Sequence, residues 1–451
     1  MKELEIVKEL IYELGNNEDM GFNFSTSRNG VQCGFTPKFN TLSKKWANNI
    51  RINNHQLKNN IETDNLTKIL KQCIINLYTE KELENFDNNS REIFSKLKLY
   101  IIDTAIASLK TYTHYIPVDT LGMEKIKKIK FDTIEILSIE DWIESIDISG
   151  RECFDNFDWR KYLHDSLNNK TPEKPLEPCQ SMIDILVEFM KKTPALIKIV
   201  IKGYEQDFSY KLANIIAKTS LDTLSLLFNQ DVFHQQVLLS ERIVPISTDS
   251  IYEIDGKLSL PGFSLGPRIP IISAQKAYDE LKKSEHENFI NALSNILCSL
   301  SNTNNSKYPK LSSRWATALD WYAEGIREQN DAIAVTKIAT SLDVLSNGGK
   351  YNGILNMLVD IFACKAEDIL IDNLTVKEFV RLIYDSSRSQ ILHGTHHERL
   401  KSFSIERKQS TKLVKKVLWG CLLFLHEYTG EDLDKGFREV VKFVNEEDKN
   451  V

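Results

Sequence analysis

The most informative stretch of this sequence is LIYDSSRSQILHG, which spans Leu382–Gly394. Its apolar residues fall at helical spacing and follow a capping-box pattern at Thr375 and Glu378, so the sequence predicts a helix that opens there. The helix is predicted to end at the glycine, because glycine suits the left-handed position just after a helix. Arg388 and His393 then lie together on the last turns of one helix.

Three charged residues of this stretch point to chemistry on a phosphate. Asp385 precedes Arg388 by three residues, a spacing at which two side chains can pair on a helix and fix the guanidinium. His393 lies at the helix C-terminus, where the helix dipole stabilises an imidazolium and so suits proton transfer near neutral pH. The alternative is that these side chains only face water and that His393 caps the helix.

The sequence around this helix is basic, although the chain as a whole is acidic. From Arg381 to Gly420, nine basic residues stand against three acidic ones, a net charge of +6, whereas the whole chain carries −6. A local positive field favours a polyanionic partner such as RNA. The predicted RNA-binding residues are Arg381, His396, His397, Arg399, Lys401, Lys412, Lys415 and Lys416.

The run Arg388–Gly394, preceded by Leu382–Asp385, resembles the Arg-x4-His signature of the HEPN superfamily, particularly its Apea-like branch. The resemblance extends over about Arg314–Phe443 and includes helices that carry Trp321-Tyr322 and Ser341–Leu345. It implies an antiparallel helical bundle and a metal-independent endoribonuclease without a cofactor. In such an enzyme the ribose 2′-OH attacks the adjacent phosphate and leaves a 2′,3′-cyclic phosphate. The first 300 or so residues resemble no family.

The resemblance also implies a role for each residue of the signature. His393 transfers a proton, Arg388 stabilises the phosphate, and Asp385 orients Arg388. Tyr384 and Ser389 are lesser candidates for substrate contacts; many HEPN ribonucleases have Asn, Asp or His where this chain has Ser389.

HEPN domains typically join two signature helices, so the resemblance implies a homodimer through the C-terminal bundle. The substrate is then RNA, either tRNA or mRNA, and the protein resembles abortive-infection or toxin-type effectors in anti-phage defence. The N-terminal two-thirds is the sensor in this interpretation and answers to a regulatory partner or a phage trigger. The competing hypothesis is a non-catalytic helical RNA-binding or scaffold protein, in which the same helix is structural.

Three other motif-like patterns are interpreted as structural. Gly262–Gly266 matches the G-x-S-x-G nucleophile elbow, but the prolines on both sides prevent the helix that this motif needs. Asn347–Lys350 resembles the end of a phosphate loop, but Val344 stands where its first glycine belongs, so a helix end and turn are predicted. His393, His396 and His397 have no fourth ligand at recognisable spacing, so no metal is predicted.

Composition and apolar patterning predict the rest of the organisation. The length of 451 residues indicates two or three domains, and a composition of 42% hydrophobic and 27% charged residues indicates a soluble protein. Apolar residues recur at helical spacing along much of the chain, so a mainly α fold is predicted. Seven scattered cysteines fit a reducing cytoplasm rather than a disulfide framework. The most hydrophobic segments of the sequence are too short to span a bilayer, so we predict a cytoplasmic protein without membrane contact.

The predicted domains follow the proline-rich and polar stretches of the chain. Residues 1–168 are predicted to form an α+β region with a small β-hairpin at Asn29-Gly30. Residues 169–180, with three prolines, are predicted to be a linker. Residues 181–300 are predicted to be mostly helical, with a β-hairpin segment near 242–273 that turns at Asp255-Gly256. Residues 312–445 are predicted to be the HEPN-like helical domain.

Overall fold

The chain is mainly helical and carries small β-sheets, which confirms the predicted fold class at this level. The structure, a computed structural model, describes residues 2–15, 24–84, 86, 88–146, 158–168, 170, 184, 187–191, 193–228, 252–254, 257–259, 274–328, 330–389, 391, 403–432 and 436–441. Its helices are α1 Glu3–Gly15, α2 Pro37–Asn53, α3 His55–Lys58, α4 Thr63–Thr79, α5 Ser90–Ser108, α6 Ile139–Ser145, α7 Trp159–Leu167, α8 Gln206–Leu227, α9 Ala274–Leu281, α10 Glu287–Ser301, α11 Pro309–Arg327, α12 Asp331–Leu345, α13 Lys350–Ile361, α14 Val376–Val380 and α15 Ser404–Glu427.

Ten short strands accompany these helices. They are β1 Phe24–Thr26, β2 Gln32–Gly34, β3 Lys110–Val118, β4 Ile129–Phe131, β5 Ile134–Ser138, β6 Ala195–Tyr204, β7 Tyr252–Ile254, β8 Lys257–Ser259, β9 Ile369–Ile371 and β10 Leu374–Thr375. The largest sheet has the strand order β3-β6-β5-β4, and β5 pairs antiparallel with both β4 and β6.

The chain divides into two compact units, residues 1–113 with 200–212 and residues 114–199 with 213–451. Residues 200–212 belong to the first unit because Asn60 binds them from two sides. Its side-chain amide donates to the Gly203 carbonyl at 2.6 Å, and its carbonyl accepts from the Glu205 amide at 2.9 Å.

The first unit is built around helices α1, α2, α4 and α5. Its core contains Ile6, Phe39, Trp46, Leu70 and Ile101, each at most 1% exposed. The predicted hairpin at Asn29-Gly30 is confirmed, since β1 and β2 pair antiparallel and Gly30 has a φ of +78°. The turn is longer than the two residues predicted, because Thr26 pairs with Gln32 and five residues connect the strands.

The helical structure predicted for residues 181–300 does not extend over Ala195–Tyr204, and the prediction is wrong there. This segment forms strand β6, which pairs with β5 from Ala195 opposite Ser138 to Ile199 opposite Ile134. Its isoleucines at 197, 199 and 201 are fully buried, while Lys198, Val200 and Lys202, which alternate with them, are not, which is the two-residue period of a strand. The second predicted hairpin is confirmed, because β7 and β8 pair with Ile254 opposite Lys257.

Helices α10, α11, α12 and α15, here called the C-terminal helices, pack against one another. The spacing of Val335, Ile338, Leu342 and Leu345 in the sequence predicts one apolar stripe on α12, and the structure confirms it, since all four are buried. Two buried aromatic side chains fix α15 against α11. Trp315 Nε1 donates to the Leu418 carbonyl at 2.9 Å, and the Tyr322 hydroxyl donates to the Thr411 carbonyl at 3.3 Å.

Candidate functional site

The candidate site lies on a π-helix that continues α14 from Arg381 to Ser389. The predicted capping box is confirmed. Thr375 Oγ1 accepts from the Glu378 amide at 3.2 Å, and Glu378 Oε2 accepts from the Thr375 amide at 2.9 Å. The Thr375 backbone amide, and next the Thr375 hydroxyl that donates to Glu378 Oε2 at 2.9 Å, lower the pKa of the Glu378 carboxyl. Buried Phe379 and Ile383 anchor the segment in the core. π-Helical segments are rare and occur frequently at functional sites.

Arg388 is held on three sides by neighbouring side chains. Its Nε donates to Thr340 Oγ1 at 3.3 Å, and its terminal nitrogen lies 3.3 Å from Asp343 Oδ2. The guanidinium carbon also lies 5.1 Å from the centre of the Tyr384 ring, within the range of a cation–π contact. The Arg388 side chain is 21% exposed. The guanidinium is therefore fixed in orientation and still reaches the surface.

Asp343 is the residue that organises this part of the molecule, and the sequence did not single it out for a role. One carboxylate oxygen pairs with Arg388, and the other accepts from the backbone amide of Lys350 at 3.1 Å. Asp343 thus joins the end of α12, the start of α13 and the π-helix. A carboxylate within the otherwise apolar run Leu342–Leu345, just before the Asn347–Lys350 turn, was the available signal. That turn after a helix end is confirmed.

The prediction that Asp385 orients Arg388 is wrong, because Arg388 pairs with Asp343 instead. Asp385 is exposed and makes no ion pair with a described residue. The cause is the helix type. Residues three apart share a face in an α-helix, but the wider π-turn, with hydrogen bonds from i to i+5, moves them apart. Tyr384, four residues before Arg388, is brought into contact with it.

Several predicted site residues lie outside the described residues. These are His393, His396, His397, Arg399 and Lys401, and Gly394 at the predicted helix end. Ser389 is in the π-helix, but its side chain is not described. The proton-transfer role of His393 therefore stays a prediction.

The predicted RNA-binding cations of α15 divide into two kinds. Lys412 and Lys416 are exposed and form no ion pair with a described residue. The same is true of Lys408 on the same face of the helix. Arg381, on the π-helix, is exposed in the same way. Lys415 instead donates to the Phe228 carbonyl at 3.0 Å in a half-buried position, so it already has a structural contact.

Arg407, which the charge count included, also has a structural role. Its guanidinium donates to the Ile326 and Glu328 carbonyls at 3.1 and 2.6 Å and pairs with Asp331 at 2.8 Å. It therefore ties the end of α11 to the start of α12. The positive charge that remains available to a polyanion comes from Arg381 and from Lys408, Lys412 and Lys416. The three lysines are spaced about one turn apart along α15.

Within the described residues, one group has the composition of a metal site: Glu280, Glu285 and His286, whose ligand atoms lie within 4.8 Å of one another. Lys283 already pairs with Glu280 at 2.8 Å and with Glu285 at 3.7 Å. None of these residues belongs to the π-helix. The Arg388 site is thus built from a guanidinium, a carboxylate, a hydroxyl and an aromatic ring. Of these groups, the guanidinium is the one whose charge and planar donors suit a phosphate.

Comparison of the chain with protein-family models, with curated proteins and with solved structures finds no match. Among the described residues, no helix combines the length and the apolar character that a membrane span requires.

Proposed function

We propose that this protein is a metal-independent endoribonuclease of the HEPN type that acts through Arg388 and His393. The ribose 2′-oxygen loses its proton and forms a bond to the adjacent phosphorus. The bond from phosphorus to the 5′-oxygen breaks, and a proton reaches that oxygen. The products are a 2′,3′-cyclic phosphate and a 5′-hydroxyl. This reaction requires a proton acceptor, a proton donor and a cation near the phosphorane charge.

The observation that carries this proposal is the arrangement of Arg388. A guanidinium that is oriented before substrate arrives stabilises a developing charge without a cost of reorganisation. Asp343, Thr340 and the Tyr384 ring provide that orientation, while part of the Arg388 side chain stays exposed. His393 follows five residues later in the sequence and is assigned to proton transfer.

The exposed cations give the RNA a path to this helix. Lys408, Lys412 and Lys416 are each four residues apart, so they form one basic stripe along α15. Exposed lysines without acidic partners release counterions when they bind phosphates, which gives affinity without sequence preference. The RNA class, tRNA or mRNA, is decided by contacts beyond this stripe.

One Arg–His pair in each chain leaves the second proton-transfer group to be supplied. We therefore place two copies of the signature helix around one phosphate in a homodimer through the C-terminal helices. The biological role that accompanies this activity is an abortive-infection or toxin-type effector in the cytoplasm. Residues 1–300 are then the sensor region, which responds to a regulatory partner or a phage trigger.

The experiment is to incubate the purified protein with RNA in EDTA and to follow both binding and cleavage. Cleavage that the His393→Ala variant lacks supports the nuclease. Growth arrest on induction of the wild type, but not of His393→Ala, supports the effector role. Cleavage that requires an added divalent metal ion contradicts the proposal.

The second candidate is a helical RNA-binding or scaffold protein, and the contacts of Arg388 also favour it. Three neighbours occupy the guanidinium, and its side chain is 21% exposed, as is common for a structural arginine between helices. Binding of RNA without cleavage, at any metal concentration, supports this candidate. The two candidates share the basic stripe and differ in the chemistry at Arg388.

A further inference from the structure

A separate pocket of about 280 Å³ lies at another place in the second unit. It is bounded by the C-terminal half of α10, the turn that leads to α11, the first turn of α11 and the end of α15. Ordinary ligand pockets have volumes of roughly 300 to 1,000 Å³. The ligand of this pocket must therefore be small.

The pocket has an apolar side and a polar side. The apolar side is formed by Ala292, Ile296, Leu422 and Leu425, each at most 5% exposed. An apolar surface of this kind favours the face of a flat, weakly polar ring over a fully hydrated ion. A site for a bare anion does not need it.

Asn295 and His426 form a paired edge on the polar side. The Asn295 side-chain amide lies 3.0 Å from His426 Nδ1. When the amide nitrogen is the donor, Nδ1 accepts, and the ring proton is on Nε2. The Asn295 carbonyl oxygen is then free to accept, and His426 Nε2 is free to donate, to a ligand. An acceptor beside a donor matches the edge of a nucleobase.

Ser312 adds a hydroxyl to the wall of the pocket. This residue is 1% exposed and lines the pocket. Its backbone amide donates to the Tyr308 carbonyl at 3.0 Å. A hydroxyl on a pocket wall can donate one hydrogen bond, and can accept others, from water or from a ligand.

Tyr308 and Lys307 complete the wall. The Tyr308 hydroxyl donates to the Tyr428 carbonyl, and the two tyrosine rings lie 5.4 Å apart, so the Tyr308 ring is held in place. Lys307 Nζ lies 4.9 Å from the centre of the Tyr308 ring and donates to the Thr429 carbonyl at 3.2 Å. A fixed aromatic ring offers stacking to a base, and the ammonium offers a charge to a phosphate.

We propose that this pocket binds a single nucleobase with its sugar phosphate, either as a free nucleotide or as one unpaired residue of an RNA. The apolar side takes the face of the base, Asn295, His426 and Ser312 take its edge, and Lys307 takes the phosphate. The inference does not depend on the Arg388 site, because it rests on the contacts of the pocket alone.

The test is calorimetric titration of the full-length protein with AMP, GMP, CMP and UMP, and with ribose 5-phosphate as the ligand that lacks a base. Ser312→Ala and Asn295→Leu each remove one hydrogen-bonding group. The matched controls are Ser313→Ala and Asn291→Leu, which change exposed neighbours outside the pocket. Circular dichroism and the melting temperature show whether each variant is folded, and either pocket variant alone decides the result.

We expect at least one nucleotide to bind at least tenfold more tightly than ribose 5-phosphate. Each pocket variant weakens binding about 3- to 10-fold, the effect of one hydrogen bond, and the controls leave it unchanged. A short 2′-O-methyl oligonucleotide, which resists cleavage by 2′-attack, separates the two sources. Binding of the oligonucleotide but not of mononucleotides assigns the pocket to RNA. The proposal is overturned if no nucleotide or oligonucleotide binds, if ribose 5-phosphate binds as tightly as the nucleotides, or if a folded pocket variant binds as tightly as the wild type.

Discussion

The ion pair between Asp343 and Arg388 can be measured by a double-mutant cycle. Asp343→Asn removes the charge but keeps an oxygen that can accept from the Lys350 amide. Arg388→Met removes the guanidinium but keeps an aliphatic stem against Tyr384. Sequence reasoning alone expects substitution of Arg388 to change stability by no more than about 0.5 kcal/mol, as at an ordinary surface position.

The structure predicts a larger effect. The two charged groups lie 3.3 Å apart, and their side chains are 21% and 16% exposed. Exposed ion pairs contribute about 0.2–1 kcal/mol, and breaking a fully buried pair costs about 3–5 kcal/mol. We therefore expect a coupling free energy of about 1–2 kcal/mol, or roughly a 5- to 30-fold change in a local opening equilibrium.

Hydrogen exchange followed by mass spectrometry is the suitable assay, because a chain with two compact units need not unfold in one step. Peptides that cover Asp343–Lys350 and the π-helix report the local opening. Asp385→Asn combined with Arg388→Met is the matched control cycle, and we expect its coupling to be near zero. A coupling at Asp385 equal to that at Asp343 would refute the assignment of the Arg388 partner.

Three further predictions concern stability and assembly. Burial raises the pKa of Asp222 to about 6 despite the nearby Arg327. Between about pH 4 and 6 the folded state therefore holds a proton that the unfolded state has lost. Over that range, the unfolding free energy of the wild type should fall relative to that of Asp222→Asn by about 3 kcal/mol as the pH rises. A flat or rising difference in unfolding free energy over that range contradicts this. Arg407→Ala should destabilise the fold by about 2 kcal/mol in thermal unfolding, whereas Lys412→Ala should leave stability unchanged and lower the salt dependence of RNA binding by about one unit of slope. A loss of stability in Lys412→Ala but not in Arg407→Ala would contradict the structural role of Arg407 and the RNA-binding role of Lys412. Excess His393→Ala protein, mixed and exchanged with wild type, should suppress RNA cleavage in a dominant manner; activity proportional to the wild-type subunits, together with a monomer by light scattering, would exclude a composite site.

Local sequence rules predicted those elements whose cause is local. The capping box at Thr375, the hairpin glycine at 30 and the apolar stripe of α12 each depend on residues a few positions apart. Strand β6 was missed because a short, mostly apolar run such as Ala195–Ile201 is compatible with either a helix or a strand. Its four β-branched residues, Ile197, Ile199, Val200 and Ile201, were the signal that favoured a strand.

The candidate site was only partly predictable for a related reason. The stretch around Arg388 was identified, but its ion-pair partner was chosen by α-helical spacing, and a π-helix places Asp343 there instead. Charge counting likewise found a basic region but could not distinguish Lys415, which contacts the Phe228 carbonyl, from the exposed Lys412. Contacts between residues far apart in sequence decide such questions, and one sequence does not contain them.

The measurement that most directly tests the proposed nuclease is the rate at which 2′,3′-cyclic phosphate ends form from RNA in EDTA. Wild type should form them. Arg388→Ala should form them at least about 100-fold more slowly, which is the usual effect of removing one group that stabilises the developing charge. Arg388→Lys should also fail, because an ammonium does not replace a planar guanidinium on a phosphate. Asp385→Ala, which changes an exposed residue of the same π-helix that makes no ion pair with a described residue, serves as the control and should retain the wild-type rate within a few-fold. Cyclic phosphate ends formed by Arg388→Ala at the wild-type rate, or their absence from wild-type reactions, would contradict the proposed function.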